Sequence, residues 1–389
     1  IGASVFCLCC RLSLMSSPKN VLFLASWYPH PSNPTLGNFI QKHAEAASIH
    51  HNISTLSVHA TEVSDVFVEQ TKRDKLTEIR VFYPRASGLF KRLRQYMRWR
   101  SAVALGVATY RQLVGEPDIV HLNVVFPLGL LVKQHFPSTP LVITEHASGL
   151  HEGPNAYPKW MLKRMLPVYQ RAARVLPVSA NLGERIKSLT GTSYHVLPNV
   201  VNEEVFSLPK STHSNHRFVH ISTLYEAAKN VHGILRAVAE LAKTEQDFEF
   251  HIITDGDASE AKRVANQLGI LDTKVFFHST METEEIASFL HTCKALVLFS
   301  NFENFPCVIP EAWMSGVPVI ATRVNGIPEF ANEHNSILIE PRNEAQLVAA
   351  MKSILDGKYF DAEALRTYAL THFSYAAVGK KLDEVYRSV

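Results

Sequence analysis

"KALVLFSNFENFPCVIPEAWMSGVPVIATR", residues 294–323, opens and closes on apolar, β-branched runs. Between them lie a turn, "NFENF", and a helical stretch with Pro306 at its start. Strand, turn, helix and strand make one unit of a parallel sheet, because a parallel return needs a crossover. Pro306 suits the first helical position, where no N–H is needed. Glu303 then lies in the turn beside Asn304, and Glu311 about two turns into the helix, about 8–10 Å further along it. The amides of Phe305, Cys307 and Val308 are left free at the helix start, where the dipole favours a phosphate.

The same alternation runs outward in both directions. Apolar runs at 20–26, 53–60, 79–84, 118–125, 140–147, 174–179 and 194–198 read as buried strands, with helices near 38–49, 89–115, 155–173 and 180–190. "SLPKSTHSNH" (207–216) interrupts the pattern, which restarts with strands at 217–223, 248–257, 274–279, 294–300, 317–323 and 336–341. Two α/β domains follow, each a doubly wound, mainly parallel sheet, with a cleft between them beyond the strands' carboxyl ends. The expected division is a non-structural leader (1–17), a first domain (18–206), a linker (207–216), a second domain (217–371) and a closing segment (372–389).

Size and composition agree. A chain of 389 residues exceeds one ordinary core. It is 46% apolar and 19% charged, as soluble globular proteins are. The net charge of +3 is unevenly spread: residues 1–205 hold 22 Lys and Arg against 13 Asp and Glu. A basic first half points to an anionic partner there, a membrane surface or a phosphate-bearing substrate. Five cysteines, three of them in "IGASVFCLCCRLSLM" (1–15), argue against a disulfide framework and for a reducing compartment. That opening is too short to span a bilayer and lacks a cleavage site. Met15 is the expected natural start, with residues 1–14 an upstream over-read.

Two carboxylates flanking a phosphate seat match a nucleoside diphosphate sugar, whose ribose diol and sugar hydroxyls both donate hydrogen bonds. Two solvated acids near a helix start are the plainer reading, and spacing alone leaves both open. "SNFENFPCVIPEAWMSGVPVIATRVNGIPEF" (300–330) resembles the E-x7-E signature of the family-four glycosyltransferases, retaining enzymes of the GT-B fold. The Gly-x-Pro-Val-Ile-Ala strand and the Gly-x-Pro-Glu turn match as well. The resemblance implies two Rossmann-like domains facing across a cleft, with Glu303 on the transferred sugar and Glu311 on the ribose diol.

Further residues follow from that resemblance. In "SWYPHPSNPTLGNFIQKHA" (26–44), Gly37 is expected against the donor diphosphate, with Asn38 capping the next helix. In "VITEHASG" (142–149), His146 is expected near the sugar, through its ring or its backbone carbonyl. In "HISTLYEAAKNVHGIL" (220–235), Lys229 falls where the family places a phosphate-binding lysine, and Asn230 is expected to cap the following helix. Thr223 stands where the family usually has arginine, with Arg323 as a substitute. "VLPNVVNEEVF" (196–206) resembles the hinge, and "HFSYAAVGKKLDEVYRSV" (372–389) a terminal helix crossing back to the first domain.

Two basic–aromatic stretches, "GLFKRLRQYMRWRSAV" (88–103) and "YPKWMLKRMLPVYQRAAR" (157–174), suit either solvated helix faces or contact with anionic lipid. No nucleic-acid module accompanies them. His213, His216 and His220 straddle the linker and a strand start, a poor metal set, and no D-x-D element holds a cation. No metal or cofactor is therefore expected. The implied function is retaining glycosyl transfer from a nucleotide sugar to a hydroxyl of a saccharide or lipid-linked acceptor, in the cytoplasm and peripherally on the inner face of the membrane. Alternatives are a GT-B nucleotide-sugar epimerase and a non-catalytic sugar-nucleotide-binding partner.

Overall fold

The computed structural model describes residues 17–151, 156–209 and 216–389. The expected leader, apart from Ser17, and the middle of the expected linker, with His213, lie outside them.

The first domain holds seven strands: β1 (Asn20–Ala25), β2 (Asn52–Thr61), β3 (Phe67–Arg73), β4 (Leu76–Pro84), β5 (Ile119–Asn123), β6 (Leu141–Glu145) and β7 (Arg174–Pro177). Its helices are α1 (Asn38–Ser48), α2 (Lys91–Leu113), α3 (Gly129–His135), α4 (Lys159–Arg171) and α5 (Ala180–Thr190). The sheet order is β3-β4-β2-β1-β5-β6-β7, parallel except for the β3–β4 hairpin. Strands such as β1 and β6 are buried on both faces, which is why they read as unbroken apolar runs.

β3 was absent from the sequence reading. "FVEQTKR" is exposed along most of its length and carries Glu69, Lys72 and Arg73, the charges that keep an edge strand from pairing further. The strand expected at 194–198 is not one. That segment runs beside β7 through only two amides, His195 to the Val175 carbonyl and Leu197 to the Pro177 carbonyl, at 3.0 Å each.

The second domain holds β8 (Arg217–Ile221), β9 (Glu249–Ile253), β10 (Val275–His278), β11 (Ala295–Leu298), β12 (Val319–Thr322) and β13 (Ser336–Ile339). They form a parallel sheet in the order β10-β9-β8-β11-β12-β13. Its helices are α6 (Glu226–Lys229), α7 (Val231–Leu241), α8 (Ser259–Gln267), α9 (Thr283–Leu290), α10 (Val308–Met314) and α11 (Glu344–Leu355). Each sheet reverses its winding once, between β1 and β5 and between β8 and β11. Loops leaving opposite faces at such a switch point open a crevice at the carboxyl edge, and this places the site.

The chain then returns. After α12 (Ala362–Phe373), Ser374 caps α13 (Tyr375–Arg387) by accepting from the Ala377 amide at 3.1 Å. Val378, Leu382 and Tyr386 of α13 are buried with Ala44 and Ala47 of α1 in the first domain's core. Gly379 lies so close to the Ala46 carbonyl that a Cβ there would stand 2.5 Å from the oxygen.

Tyr386 also reaches His121 of β5, whose two ring nitrogens share hydrogen bonds with the Tyr386 and Thr144 hydroxyls at 2.6 Å each. Burial pushes His121 down to about 3, and burial pushes His43 of α1 down to about 4 against a bond to the Pro198 carbonyl. Both folded values lie below the unfolded value near 6.5, so the unfolded chain binds more protons as pH falls past that point. These rings therefore add stability that is full above about pH 6.5 and is lost in acid. Between pH 6 and pH 5 they are expected to remove about 2–3 kcal/mol. Urea unfolding at the two pH values checks this, and coincident midpoints would contradict it.

Candidate functional site between the domains

A cleft of about 330 Å³ opens at the facing carboxyl edges. From the first domain it takes Trp27 after β1, Phe39 of α1, and His146 and Ser148 after β6. From the second it takes Thr223 and Lys229 after β8 and the turn Phe302–Cys307 after β11. Sequence-predicted residues His146, Thr223, Lys229, Glu303, Asn304, Phe305 and Cys307 thus share one cavity. Gly37, Val308 and Glu311 are not among the residues lining it.

Lys229 ends the single turn of α6, and its Nζ lies 2.5 Å from Glu303 Oε1. The Ser300 hydroxyl donates to the same oxygen at 2.8 Å, and the Glu303 amide donates to Asn325 Oδ1 at 3.2 Å. Both side chains of the pair are largely withdrawn from water. Asn304 spans the cleft, its Nδ2 donating to the His146 carbonyl at 2.6 Å and its Oδ1 accepting from His151 Nε2 at 2.9 Å. His146 lies against Phe39, ring centroids 4.3 Å apart, with its Nε2 shielded and without a hydrogen-bond partner among the described residues. Burial, with the neighbouring His43 and His121, holds it well below the usual imidazole range, so at neutral pH it is uncharged.

Glu145, beside His146 in sequence, turns the other way. It is fully buried and accepts from four donors: the amides of Val125, His146 and Ala147 and the Tyr169 hydroxyl, at 2.6–3.1 Å. Burial raises its pKa, and those hydrogen bonds pull it partly back. Glu145 thus ties the loops after β5 and β6 together and does not reach the cleft.

Several local expectations need correction. Pro306 does not start the helix. α10 begins at Val308, with Cys307 at its N-cap, and is seven residues long, so Glu311 lies in its first turn. Phe305 is buried, its carbonyl accepting from Asn199 Nδ2 at 2.9 Å. Asn38 does not cap α1: Gly37 holds the N-cap at φ +67°, and a Cβ there would lie 2.6 Å from the Trp27 carbonyl. Backbone-to-backbone contact this close is what glycine permits. Asn230 occupies the N-cap of α7 at φ +50°, without a capping hydrogen bond, its amide filling the space beside Gly233. Arg323 is outside the cleft, 3.4 Å from Glu340 on an exposed face. His216 pairs with Asp247, and His220 binds the Val297 carbonyl and Ser222.

Residues 58–205 match the model of glycosyltransferase family 4, and residues 215–357 match that of the glycosyl transferases group 1. The chain belongs to the family-four glycosyltransferases. Among its relatives are the MMP alpha-(1→4)-mannosyltransferase of Mycolicibacterium hassiacum, 27% identical over 62% of each chain, and TuaC of Bacillus subtilis, named a teichuronic acid biosynthesis glycosyltransferase, 26% identical over 85% of this chain and 88% of TuaC. The match thus spans about three-fifths of the mannosyltransferase and most of TuaC. Sucrose-phosphate synthase from Thermosynechococcus elongatus superposes with a TM-score of 0.77 at 15% identity, covering 95% of this chain and 98% of that one. Anabaena HepE, solved with UDP, superposes at 0.71 and 17%, covering 95% and 100%. At such identities the superpositions establish the GT-B fold.

Within this family-four chain, two residues were missed by sequence reasoning. Lys42 of α1 crosses from the first domain and places its Nζ 2.9 Å from Glu311 Oε1, both side chains largely buried. Burial, the largest single influence, would lower its pKa, but the Glu311 carboxylate together with Cys307 and Glu45 outweighs it and the net shift is upward. Glu329, in the Gly-x-Pro-Glu turn, crosses in the opposite sense. Its two oxygens accept from the Ala180 and Asn181 amides at 2.6 and 2.7 Å, where the dipole of α5 favours a carboxylate. The only local signal for Lys42 was a lysine five positions after Gly37. Nothing local pairs it with a residue 269 positions away.

If Glu311 holds the donor ribose and Lys42 acts through that carboxylate, their substitutions are not additive. Glu311→Ala is expected to weaken nucleotide binding about 10–100-fold, the size of hydrogen bonds to a charged group. Lys42→Ala should weaken it less, and the double variant should bind no worse than Glu311→Ala. Calorimetric titration decides: two losses that simply add would disconnect Lys42 from the ribose site.

Proposed function

We infer that the protein is a retaining glycosyltransferase that moves a sugar from a nucleoside diphosphate donor to a hydroxyl acceptor in cell-surface polysaccharide or glycolipid synthesis. The observation carrying this reading is the Lys229–Glu303 pair at the switch point of the second sheet, facing His146, to whose carbonyl Asn304 reaches across the cleft. The pair places a cation for the leaving diphosphate beside a carboxylate for the sugar hydroxyls. The second domain takes the donor, Glu311 the ribose and Gly37 the close backbone approach. The first domain takes the acceptor. HepE was solved with UDP and with UDP-glucose, so uridine donors come first in a screen. No helix of the described residues is long and apolar enough to cross a membrane. The basic stretches on α2 and α4 favour peripheral attachment to anionic lipid on the cytoplasmic face.

Incubation with UDP-, GDP- and ADP-sugars, with and without hydroxyl acceptors, tests the reading. A new glycoside keeping the donor's anomeric configuration supports it, and inversion removes the retaining assignment. A free epimerised sugar formed without acceptor supports an epimerase. Donor binding without turnover would support a silent partner, which Thr223 in the arginine position favours.

A further inference from the structure

The first domain has a second concavity, of about 640 Å³, within the size range of small-molecule sites. Its floor comes from Ala60 of β2, Tyr83 of β4 and the Phe126–Pro127 step after β5, and its walls from the first half of α2 and the start of α4. The interdomain cleft takes residues after β1 and β6. Groove and cleft therefore open along the carboxyl edge of one sheet, where ligands of such sheets bind.

The lining has two chemistries. Tyr83, Trp99, Phe126 and Trp160 supply an aromatic lining, and Trp160 is 55% exposed. Around them stand Arg85, Lys91, Arg92 and Arg164, with no Asp or Glu in the lining. Arg85 has a loose, exposed partner in Glu62 at 3.4 Å, of little energetic weight. Lys91, Arg92 and Arg164 make no ion pair among the described residues; Arg164 instead lies over the Trp160 ring at 5.6 Å. An apolar slot rimmed by uncompensated cations is complementary to an apolar body with an anionic head. A free neutral saccharide would set hydroxyls against apolar walls and leave the cations unmatched.

We propose that this groove holds the acceptor by a lipid phosphate: the apolar chain lies along Trp99, Phe126 and Trp160, and the phosphate sits among Lys91, Arg92 and Arg164. The proposal rests on the glycosyl-transfer reading and narrows its acceptor to the lipid-linked class. Leu89, Phe90, Leu93 and Met97 lie exposed beside the groove and would meet the bilayer from which such an acceptor is drawn.

Monomeric farnesyl phosphate is the probe, titrated by calorimetry against farnesol and inorganic phosphate. Farnesyl phosphate is expected to bind at least about tenfold tighter than either. The exposed substitutions Arg92→Glu with Arg164→Glu, and separately Trp160→Ala, are expected to weaken it about tenfold or more. Nucleotide binding in the same variants should stay unchanged. Equal affinity for farnesol, indifference to these substitutions, or capture by anionic vesicles without any binding of the monomer would each overturn the groove. A wild-type protein that binds farnesyl phosphate through these residues but no sugar nucleotide would leave the groove standing and reject the transfer reading.

Discussion

Lys229→Ala is expected to lower turnover about 10²–10³-fold, the loss typical of removing one preorganised charge-stabilising group. Nucleotide affinity should fall much less. Among the described residues lining the cleft, Lys229 is the sole lysine or arginine. Thr223 supplies no charge where the family resemblance leads one to expect arginine, and Arg323 is held at Glu340. When the glycosidic bond breaks, negative charge grows on the leaving diphosphate. A cation acts more strongly on that charge than on the ground state, so its loss appears in kcat ahead of KM. Lys229→Arg keeps the charge but not the shape that fits against Glu303, and should recover only part of the rate. Initial rates over a donor range give both constants. A kcat for Lys229→Ala within threefold of wild type would place the leaving-group charge elsewhere, and an unchanged thermal midpoint would rule out misfolding as the cause of any loss.

Why some of this was legible beforehand follows from where each signal resides. Parallel strands buried on both faces are largely apolar, so β1, β6, β11 and β12 appear as runs in the sequence. β3 pairs on one side only and keeps a polar face, so its residues look like a loop. The short α3 gave too little periodicity to register. The Glu303 turn was readable because a strand, a turn and a helix succeed one another locally. The helix tip was misjudged because proline preference is a statistical bias that the tight turn 303–307 overrides. Lys42 and Glu329 act across the domain boundary, and a contact made by docking two folded bodies leaves no local pattern. Glu145 ends β6 beside His146, but alternation along a strand sends adjacent side chains to opposite faces, so its role as a buried acceptor left no mark in the sequence.

Glu145→Ala follows from that last point and is expected to destabilise the protein by about 3–5 kcal/mol. Each buried donor left unsatisfied costs about 1–3 kcal/mol, and four lose their acceptor, with water or repacking recovering part. One of them, the Val125 amide, follows Val124, a β-branched residue held at φ +63°. Such a conformation costs about 1–3 kcal/mol and persists only where surrounding bonds enforce it. Val124 is fixed on both sides, its amide donating to the Thr144 carbonyl at 2.9 Å and its carbonyl accepting from the Ser26 hydroxyl at 2.8 Å. Removing Glu145 frees the next residue and lets the loop relax, which shifts Phe126 and, through the His146 amide, the first domain's wall of the cleft. Glu145→Gln separates charge from geometry. One end of the amide still accepts two bonds, but its NH2 faces the Val125 N–H, so a loss smaller than alanine's is expected, about 1–3 kcal/mol. Calorimetric melting should therefore rank wild type above glutamine above alanine, with a midpoint drop of about 10 °C for alanine. An alanine variant melting within 2 °C of wild type would mean that the four donors find other partners and that Glu145 does not hold the cleft wall.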